Sequence, residues 1–98
     1  MEVDCAGETY ARLETDLQFT GGFSAEIVKS FRKKMGFIRQ AVDERDIAAM
    51  RGFRFEKLKP PRGHERSVRL NDQWRLVFQL IDGPKGKIVK VIGIEDYH

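Results

Sequence analysis

Residues 67–80 read SVRLNDQWRLVFQL, two alternating runs of apolar and polar residues joined by a short polar segment. In the first run Val68 and Leu70 are the apolar members, and in the second every other residue from Trp74 to Leu80 is apolar. A period of two is typical of strands that bury one face. The stretch therefore predicts two strands with a turn between them.

The length of that turn follows from the requirement that cross-strand partners share a face of the sheet. A two-residue turn would pair Leu70 with a glutamine and would mix the two faces. A three-residue turn at 71–73 instead pairs Leu70 with Trp74 and Val68 with Leu76, which unites the apolar side chains. We therefore expect an antiparallel hairpin in this register.

The same register places Arg69 directly opposite Arg75 on the other face of the hairpin. Like charges in such a position are destabilising, and two guanidiniums held together suit a bound anion, above all phosphate. The alternative is that each arginine pairs with a nearby acid such as Glu56 or Asp96, or with the terminal carboxylate of the chain. The anion site is the favoured interpretation.

Further strands are predicted on both sides of the hairpin. Alternating phenylalanines and charged residues indicate a strand over 53–59. The segment PPRG at 60–63 must be a loop, because proline cannot continue a central strand. After the hairpin, DGPKG at 82–86 is a turn, and 88–94 is the last strand.

The N-terminal half has the pattern of two amphipathic helices that follow a short strand at 1–5. Apolar residues recur at intervals of three and four, as on one face of a helix. Ser24 is the predicted N-cap of the second helix, and close helix packing is the expected reason for Gly36 inside it. One further turn is expected at 46–50. The two apolar stripes are Ala6, Tyr10, Leu13 and Leu17, then Ile27, Phe31, Met35, Ile38 and Val42.

This order, β-α-α-β-β-β-β, predicts an α+β fold in which two N-terminal helices pack on one face of a small, mostly antiparallel sheet. Ninety-eight residues are enough for one domain, 1–98, and 41% apolar with 34% charged residues are typical of a globular chain. No apolar run approaches the ~20 residues of a membrane span, and no signal peptide opens the chain. The single cysteine, Cys5, excludes an internal disulfide and favours the cytoplasm.

The charges are unevenly distributed along the chain. Residues 1–26 contain six acids and one base, a net charge of −5, whereas residues 27–98 contain 17 bases and 9 acids, a net charge of +8. Between Arg51 and Arg75 there are eight bases and three acids. Such a block suits a phosphate-bearing partner; the alternative is a well-solvated surface.

Few residues are suited to catalysis. Two histidines and one cysteine are too few for a structural zinc site, and no GxGxxG, Walker, HExxH or GxSxG motif occurs, so we expect neither metal nor cofactor. An imidazole can titrate near neutral pH, as a general acid or base must, so His98 is a candidate, and Asp96 and Tyr97 precede it at the end of a predicted strand. The alternative is an idle terminal histidine. His64, in the proline-rich loop, is interpreted as solvated.

A family resemblance lies in three segments, RFEKLK at 54–59, SVRLNDQWRLVF at 67–78 and EDYH at 95–98. They resemble the HigB-type toxins of bacterial toxin–antitoxin systems, members of the RelE/ParE superfamily that are also called plasmid maintenance system killer proteins. The resemblance covers nearly the whole chain. It implies a sheet with helices on one face and an RNA-binding concavity on the other, cleavage of mRNA in the ribosomal A site, growth inhibition, and neutralisation by a helix-turn-helix antitoxin, HigA.

The resemblance also implies roles for single residues on the RNA-binding side. Lys59 and Arg75 match basic positions that contact the phosphate backbone, and Gln73 matches a polar position before the tryptophan. Together with Arg69 from the hairpin argument, they form the expected phosphate-binding set.

The expected catalytic set is Glu56, Asp96, Tyr97 and His98. The last three match the C-terminal catalytic cluster of the family, and Glu56 occupies a position where some members have a catalytic histidine. Either Glu56 or Asp96 is then the base and His98 the acid in RNA cleavage.

The resulting hypothesis is a metal-independent endoribonuclease, an mRNA interferase that acts on mRNA on the ribosome. Two alternatives stay open: a ParE-like toxin on the same fold that inhibits gyrase without catalytic residues, and a non-catalytic nucleic-acid-binding module. The expected partners are a HigA-like antitoxin and ribosome-bound mRNA, with no membrane and no small-molecule cofactor.

Overall fold

A five-stranded sheet is the frame of the molecule. The computed structural model describes residues 1–96 of the chain. The strands stand in the order β1-β5-β4-β3-β2, and β1 runs parallel to β5 while the other neighbours are antiparallel. The predicted α+β fold with a mostly antiparallel sheet is therefore confirmed. The strands are β1 (Glu2–Cys5), β2 (Glu56–Lys57), β3 (Glu65–Arg69), β4 (Trp74–Gly83) and β5 (Gly86–Asp96).

The two predicted helices are confirmed as α1 (Glu8–Thr15) and α2 (Ala25–Gln40). At the start of α2 the Ser24 Oγ accepts a hydrogen bond from the Ile27 N–H at 3.3 Å, which satisfies one of the amides that a first helical turn leaves free. The further turn expected at 46–50 is found slightly earlier, as the short helix α3 (Glu44–Ala48).

The hydrophobic core lies between the helices and one face of the sheet. Phe31 and Met35 of α2 are fully buried in it, and so are Val68 of β3 and Phe78 of β4. Side chains alternate along a strand, so the residues between these core positions point to the opposite face. We call that side the outer face.

The hairpin between β3 and β4 has the register expected from its sequence. Val68 pairs with Leu76, and Arg69 pairs with Arg75. The side chain of Asn71 closes the turn, because its Oδ1 accepts the backbone N–H groups of both Gln73 (2.9 Å) and Trp74 (2.8 Å). The three-residue turn at 71–73 is thus confirmed.

The strand expected over 53–59 is largely wrong. Residues Arg51–Phe53 form a 3₁₀ turn, Arg54 adopts a left-handed conformation with φ 49°, and β2 contains only two residues. The alternation that suggested a strand arises because the turn directs both phenylalanines inward. Phe53 packs against Phe37 at 5.0 Å between ring centroids, and Phe55 packs against Phe78 at 6.3 Å.

Three details of the helix pattern are also wrong. Leu17 and Val42, the last members of the two stripes, are 74% and 85% exposed, because each lies beyond the end of its helix. Gly36 is exposed, and a Cβ added there would have no neighbour within 4 Å, so it does not mark close packing. Among residues 1–96, the helices are too short or too polar to cross a membrane.

Candidate active site on the outer face

Arg75 lies at the centre of the candidate site and is only 7% exposed. Its Nε donates to the Ser67 Oγ at 2.8 Å, and its Nη2 donates to the backbone carbonyl of Arg54. These bonds come from β3 and from the turn before β2, so the guanidinium is held in one orientation by two neighbouring segments. A fixed cation of this kind suits the recognition of a phosphate.

Its cross-strand partner Arg69 is in a different environment. The guanidinium of Arg69 is about 39% exposed and pairs with Asp72, a carboxylate of the hairpin turn that is 96% exposed. Arg69 is thus compensated by an acid that neither sequence interpretation had named. Surface pairs of this kind are weak, so Arg69 stays available to an incoming anion.

A first groove runs beside Arg75 toward the β2 edge of the sheet. It has a volume of about 330 Å³ and brings together Glu56, Arg69 and Arg75 of the expected site. No pattern in the sequence assigned a role to the other lining residues. They are Arg54, Asn71 and Asp72.

A second groove, of about 150 Å³, lies on the other side of Arg75. It contains Asp96, whose Oδ2 accepts a hydrogen bond from the Gln73 Nε2 at 3.1 Å. Leu58 and Val77 form an apolar part of its lining. Arg75 lines both grooves, with Glu56 in the first and Asp96 in the second.

An ion-pair network closes the far side of the second groove. Arg62 donates to Glu65 at 2.6 Å and to Glu95 at 2.7 and 2.8 Å. Hydrogen bonds to Glu95 and then Glu65 raise the pKa of the Arg62 guanidinium above its ordinary value. The network ties the loop after β2 to β3 and to β5, and no local sequence signal predicts it because Arg62 and Glu95 are 33 residues apart.

The other expected residues fall into two groups. Lys59 is exposed and lies outside the lining of both grooves, so the structure does not bring it to Arg75. Tyr97 and His98 lie outside the described residues. His64 is 61% exposed, as expected for a solvated loop residue.

Two further observations bear on chemistry. Burial, followed by the charge of Glu14, raises the pKa of the Cys5 thiol, which disfavours the nucleophilic thiolate. Within residues 1–96, the histidines, cysteine and acids form no group of three that could hold a metal ion. What the outer face does offer is an oriented guanidinium that lines one groove with Glu56 and a second groove with Asp96, a set able to bind a phosphodiester and to accept the proton of a neighbouring hydroxyl.

Comparison with known proteins identifies the family. Residues 10–98 match the family described as RelE-like toxin of type II toxin–antitoxin system HigB. Among solved structures, a YoeB/ParE toxin from Agrobacterium tumefaciens superposes with a TM-score of 0.64 at 15% identity over 100% of both chains. The YoeB–YefM complex from Staphylococcus aureus matches with a TM-score of 0.61 at 20% identity over 100% of this chain and 97% of that one.

At these identities the two structures show a shared fold alone. No curated protein matches the chain. The family match covers nearly all of the sequence. The chain therefore belongs to the HigB-like branch of the RelE-like toxins of type II toxin–antitoxin systems.

Proposed function

We propose that this toxin is a ribosome-dependent endoribonuclease that cleaves mRNA without a metal ion. The observation that carries the proposal is the position of Arg75, a buried and oriented cation that lines one groove with Glu56 and a second groove with Asp96. A protein that inhibits by docking alone, as in the gyrase alternative, has no need for a charge to be buried and oriented in a groove. Burying a charge is costly unless it is well hydrogen-bonded.

In the proposed reaction the RNA supplies the nucleophile. Glu56 or Asp96 removes the proton of a ribose 2′-hydroxyl, and that oxygen attacks the adjacent phosphorus. The bond from phosphorus to the 5′-oxygen of the next nucleotide breaks, and His98 protonates that oxygen as it leaves. The products are a 2′,3′-cyclic phosphate and a 5′-hydroxyl, so no water, metal or redox partner enters the balance.

The remaining expected residues bind and orient the RNA. Arg75 and Arg69 stabilise the negative charge that develops on the phosphoryl oxygens, and Lys59, which lies outside both grooves, contacts the RNA backbone away from the scissile phosphate. Tyr97 stacks on a base or positions the phosphate, and Gln73 orients Asp96 through the hydrogen bond between their side chains. We further propose a HigA-like helix-turn-helix antitoxin as the partner and the cytoplasm as the site of action.

The test is incubation of the purified protein with ribosomes stalled on an mRNA of known sequence. We expect discrete fragments with 5′-hydroxyl ends, and no cleavage where the ribose 2′-hydroxyl at the scissile step is replaced by hydrogen. Cleavage should persist when transition metals are chelated and magnesium is kept to preserve the ribosomes. Inhibition of gyrase without RNA fragments, or RNA binding without fragments, would support the alternatives instead.

Isosteric variants identify the base. Loss of the general base lowers the cleavage rate by roughly 10²–10⁴-fold, so one of Glu56→Gln and Asp96→Asn should show a loss of that size. Glu8→Gln removes an exposed carboxylate on α1 and is the matched control, with no expected loss. If both site variants cleave at the rate of the control, neither carboxylate is the base and the proposed mechanism is wrong.

A further inference from the structure

A third groove adjoins the first one and adds Arg51, which the proposed reaction does not use. Its lining consists of Arg51, Gly52, Arg54 and Arg69, and we call it the arginine groove. It shares Arg54 and Arg69 with the first groove, so the two are continuous. Unlike the first groove, which contains two carboxylates, the arginine groove is lined by three guanidiniums and by no acid of the described residues.

The two additional arginines are held on one turn. The N–H of Arg54 donates to the carbonyl of Arg51 at 3.2 Å and closes the 3₁₀ turn. Arg54 directly follows that turn, and its side chain lines the arginine groove together with that of Arg51. Neither side chain forms an ion pair with a residue of the described range.

The backbone conformation of Arg54 would favour glycine at this position, so the presence of arginine needs another explanation. Within residues 1–96 it is the one non-glycine residue with a positive φ, a conformation that glycine adopts without steric cost. Its carbonyl also accepts the hydrogen bond from Arg75. Glycine would serve the turn and that hydrogen bond better than arginine, so the turn alone does not explain the guanidinium.

The surroundings of the arginine groove are electropositive. The ammonium of Lys34, on α2, lies 5.3 Å from the centre of the Phe53 ring, inside the same turn. Burial is the main cause that lowers the pKa of Lys34 below its ordinary value, and the positive charges of Lys33 and Arg69 lower it further. A cluster of cations in which only Arg69 has an acidic partner among the described residues, next to a site for a phosphodiester, favours a second anion.

We propose that Arg51, Arg54 and Arg69 form a second phosphate-binding site, which holds the backbone of single-stranded RNA beside the nucleotide that is cleaved. The identity of the ligand rests on the proposed function, whereas the anion preference rests on the groove itself. The site recognises phosphate, so it contributes affinity and register without base specificity.

Salt-dependent binding tests the proposal without any cleavage. A labelled single-stranded DNA octamer lacks the 2′-hydroxyl and stays intact, and its affinity can be measured by fluorescence anisotropy over a range of NaCl concentrations. Each phosphate contact on a single strand contributes about 0.7 to the slope of log K against log salt. Arg54→Gly and Arg51→Gln should each reduce that slope by about 0.7, and the double variant by about 1.4.

Two controls separate charge from fold. Lys85→Gln removes the same charge from the exposed β4–β5 turn, roughly 25 Å from Arg75 along β4 by the rise of a strand, and should leave the slope unchanged. Arg54→Lys keeps the charge and should retain most of the slope. The melting temperature of Arg54→Gly should be no lower than that of the wild type, because glycine relieves the left-handed conformation.

The proposal is overturned if Arg54→Gly and Arg51→Gln both retain the slope of Lys85→Gln, or if the wild type does not bind the octamer at 50 mM salt. It is also overturned if these variants lose only the binding of an acidic partner protein, since the groove would then be a protein-docking surface. If the variants reduce the salt slope as expected but the wild type does not cleave mRNA, the proposed function is refuted and the second phosphate-binding site is retained. If the wild type cleaves mRNA but the variants have the same salt slope as the wild type, the second phosphate-binding site is refuted and the proposed function is retained.

Discussion

Arg75 combines a permanent charge with nearly complete burial. Its cost of desolvation is offset by hydrogen bonds to the Ser67 side chain and to the Arg54 carbonyl, which also remove its rotational freedom. A guanidinium that is already oriented loses little entropy when it binds a phosphate. Arg69, which lies directly opposite Arg75 in the hairpin, is more exposed and forms a surface ion pair.

This contrast predicts different effects of two alanine substitutions. Arg75→Ala should lower the free energy of unfolding by about 1–3 kcal/mol, because it leaves buried polar partners without a hydrogen bond. Arg69→Ala should change it by no more than about 0.5 kcal/mol, as for an exposed ion pair. Urea denaturation of both variants measures the difference. Equal effects would show that the bonds of Arg75 contribute no net stability.

At the scale of elements, two glycines illustrate opposite requirements. Gly36 lies on the exposed side of α2, in open space. Gly93 lies in β5 where its register with β4 shifts, and a Cβ there would be 2.9 Å from the Tyr10 Oη. The Tyr10 hydroxyl accepts the Ile94 N–H at 3.1 Å, so α1 contacts the sheet at this irregularity.

Alanine at these two positions should therefore shift stability in opposite directions. Gly36→Ala should raise the free energy of unfolding by about 0.5–1 kcal/mol, since alanine is the better helix former and open space accommodates its methyl group. Gly93→Ala should lower it by about 1–3 kcal/mol, because the methyl group overlaps Tyr10. Thermal or urea unfolding measures both, and a stabilised Gly93→Ala would contradict the close approach of α1 to β5.

At the scale of the whole molecule, one core joins the helices to the sheet. A single cluster contains buried residues of all three helices, of the 3₁₀ turn at 51–53, and of the strands β3, β4 and β5. The acidic N-terminal segment includes β1, whereas the arginine-rich grooves lie toward β2, at the opposite edge of the sheet. The arginines of these grooves thus give the β2 edge of the sheet a cationic surface.

A single core predicts cooperative unfolding. Trp74 is the sole tryptophan and packs edge to face on Phe23 at 6.5 Å, so its fluorescence reports the contact between the sheet and the segment before α2. Urea curves followed by Trp74 fluorescence and by far-ultraviolet circular dichroism should coincide, as for a two-state domain. Separate midpoints would show that this contact is lost independently of the secondary structure.

Much of the fold could be predicted from sequence because its determinants are local. The β3–β4 register follows from the alternation of Val68, Leu70 and Trp74 across a three-residue turn, and each strand of that hairpin is adjacent in sequence to its partner. The helix α2 follows from its apolar period and its N-cap. The same local reasoning failed at 53–59, where tertiary packing of two phenylalanines against the core imitates the period of a strand.

Some features of the candidate site could likewise be predicted from local sequence, and others could not. Sequence by itself determined that Arg69 and Arg75 are cross-strand neighbours and that Glu56, Gln73 and Asp96 are candidates, because strand parity and segment resemblance are read along the chain. Only the tertiary structure decided that Arg75 is buried against a carbonyl 21 residues away, while Arg69 stays on the surface. The physical reason is that burial and hydrogen-bond partners depend on which loop folds over the outer face, and that is set by contacts distant in sequence.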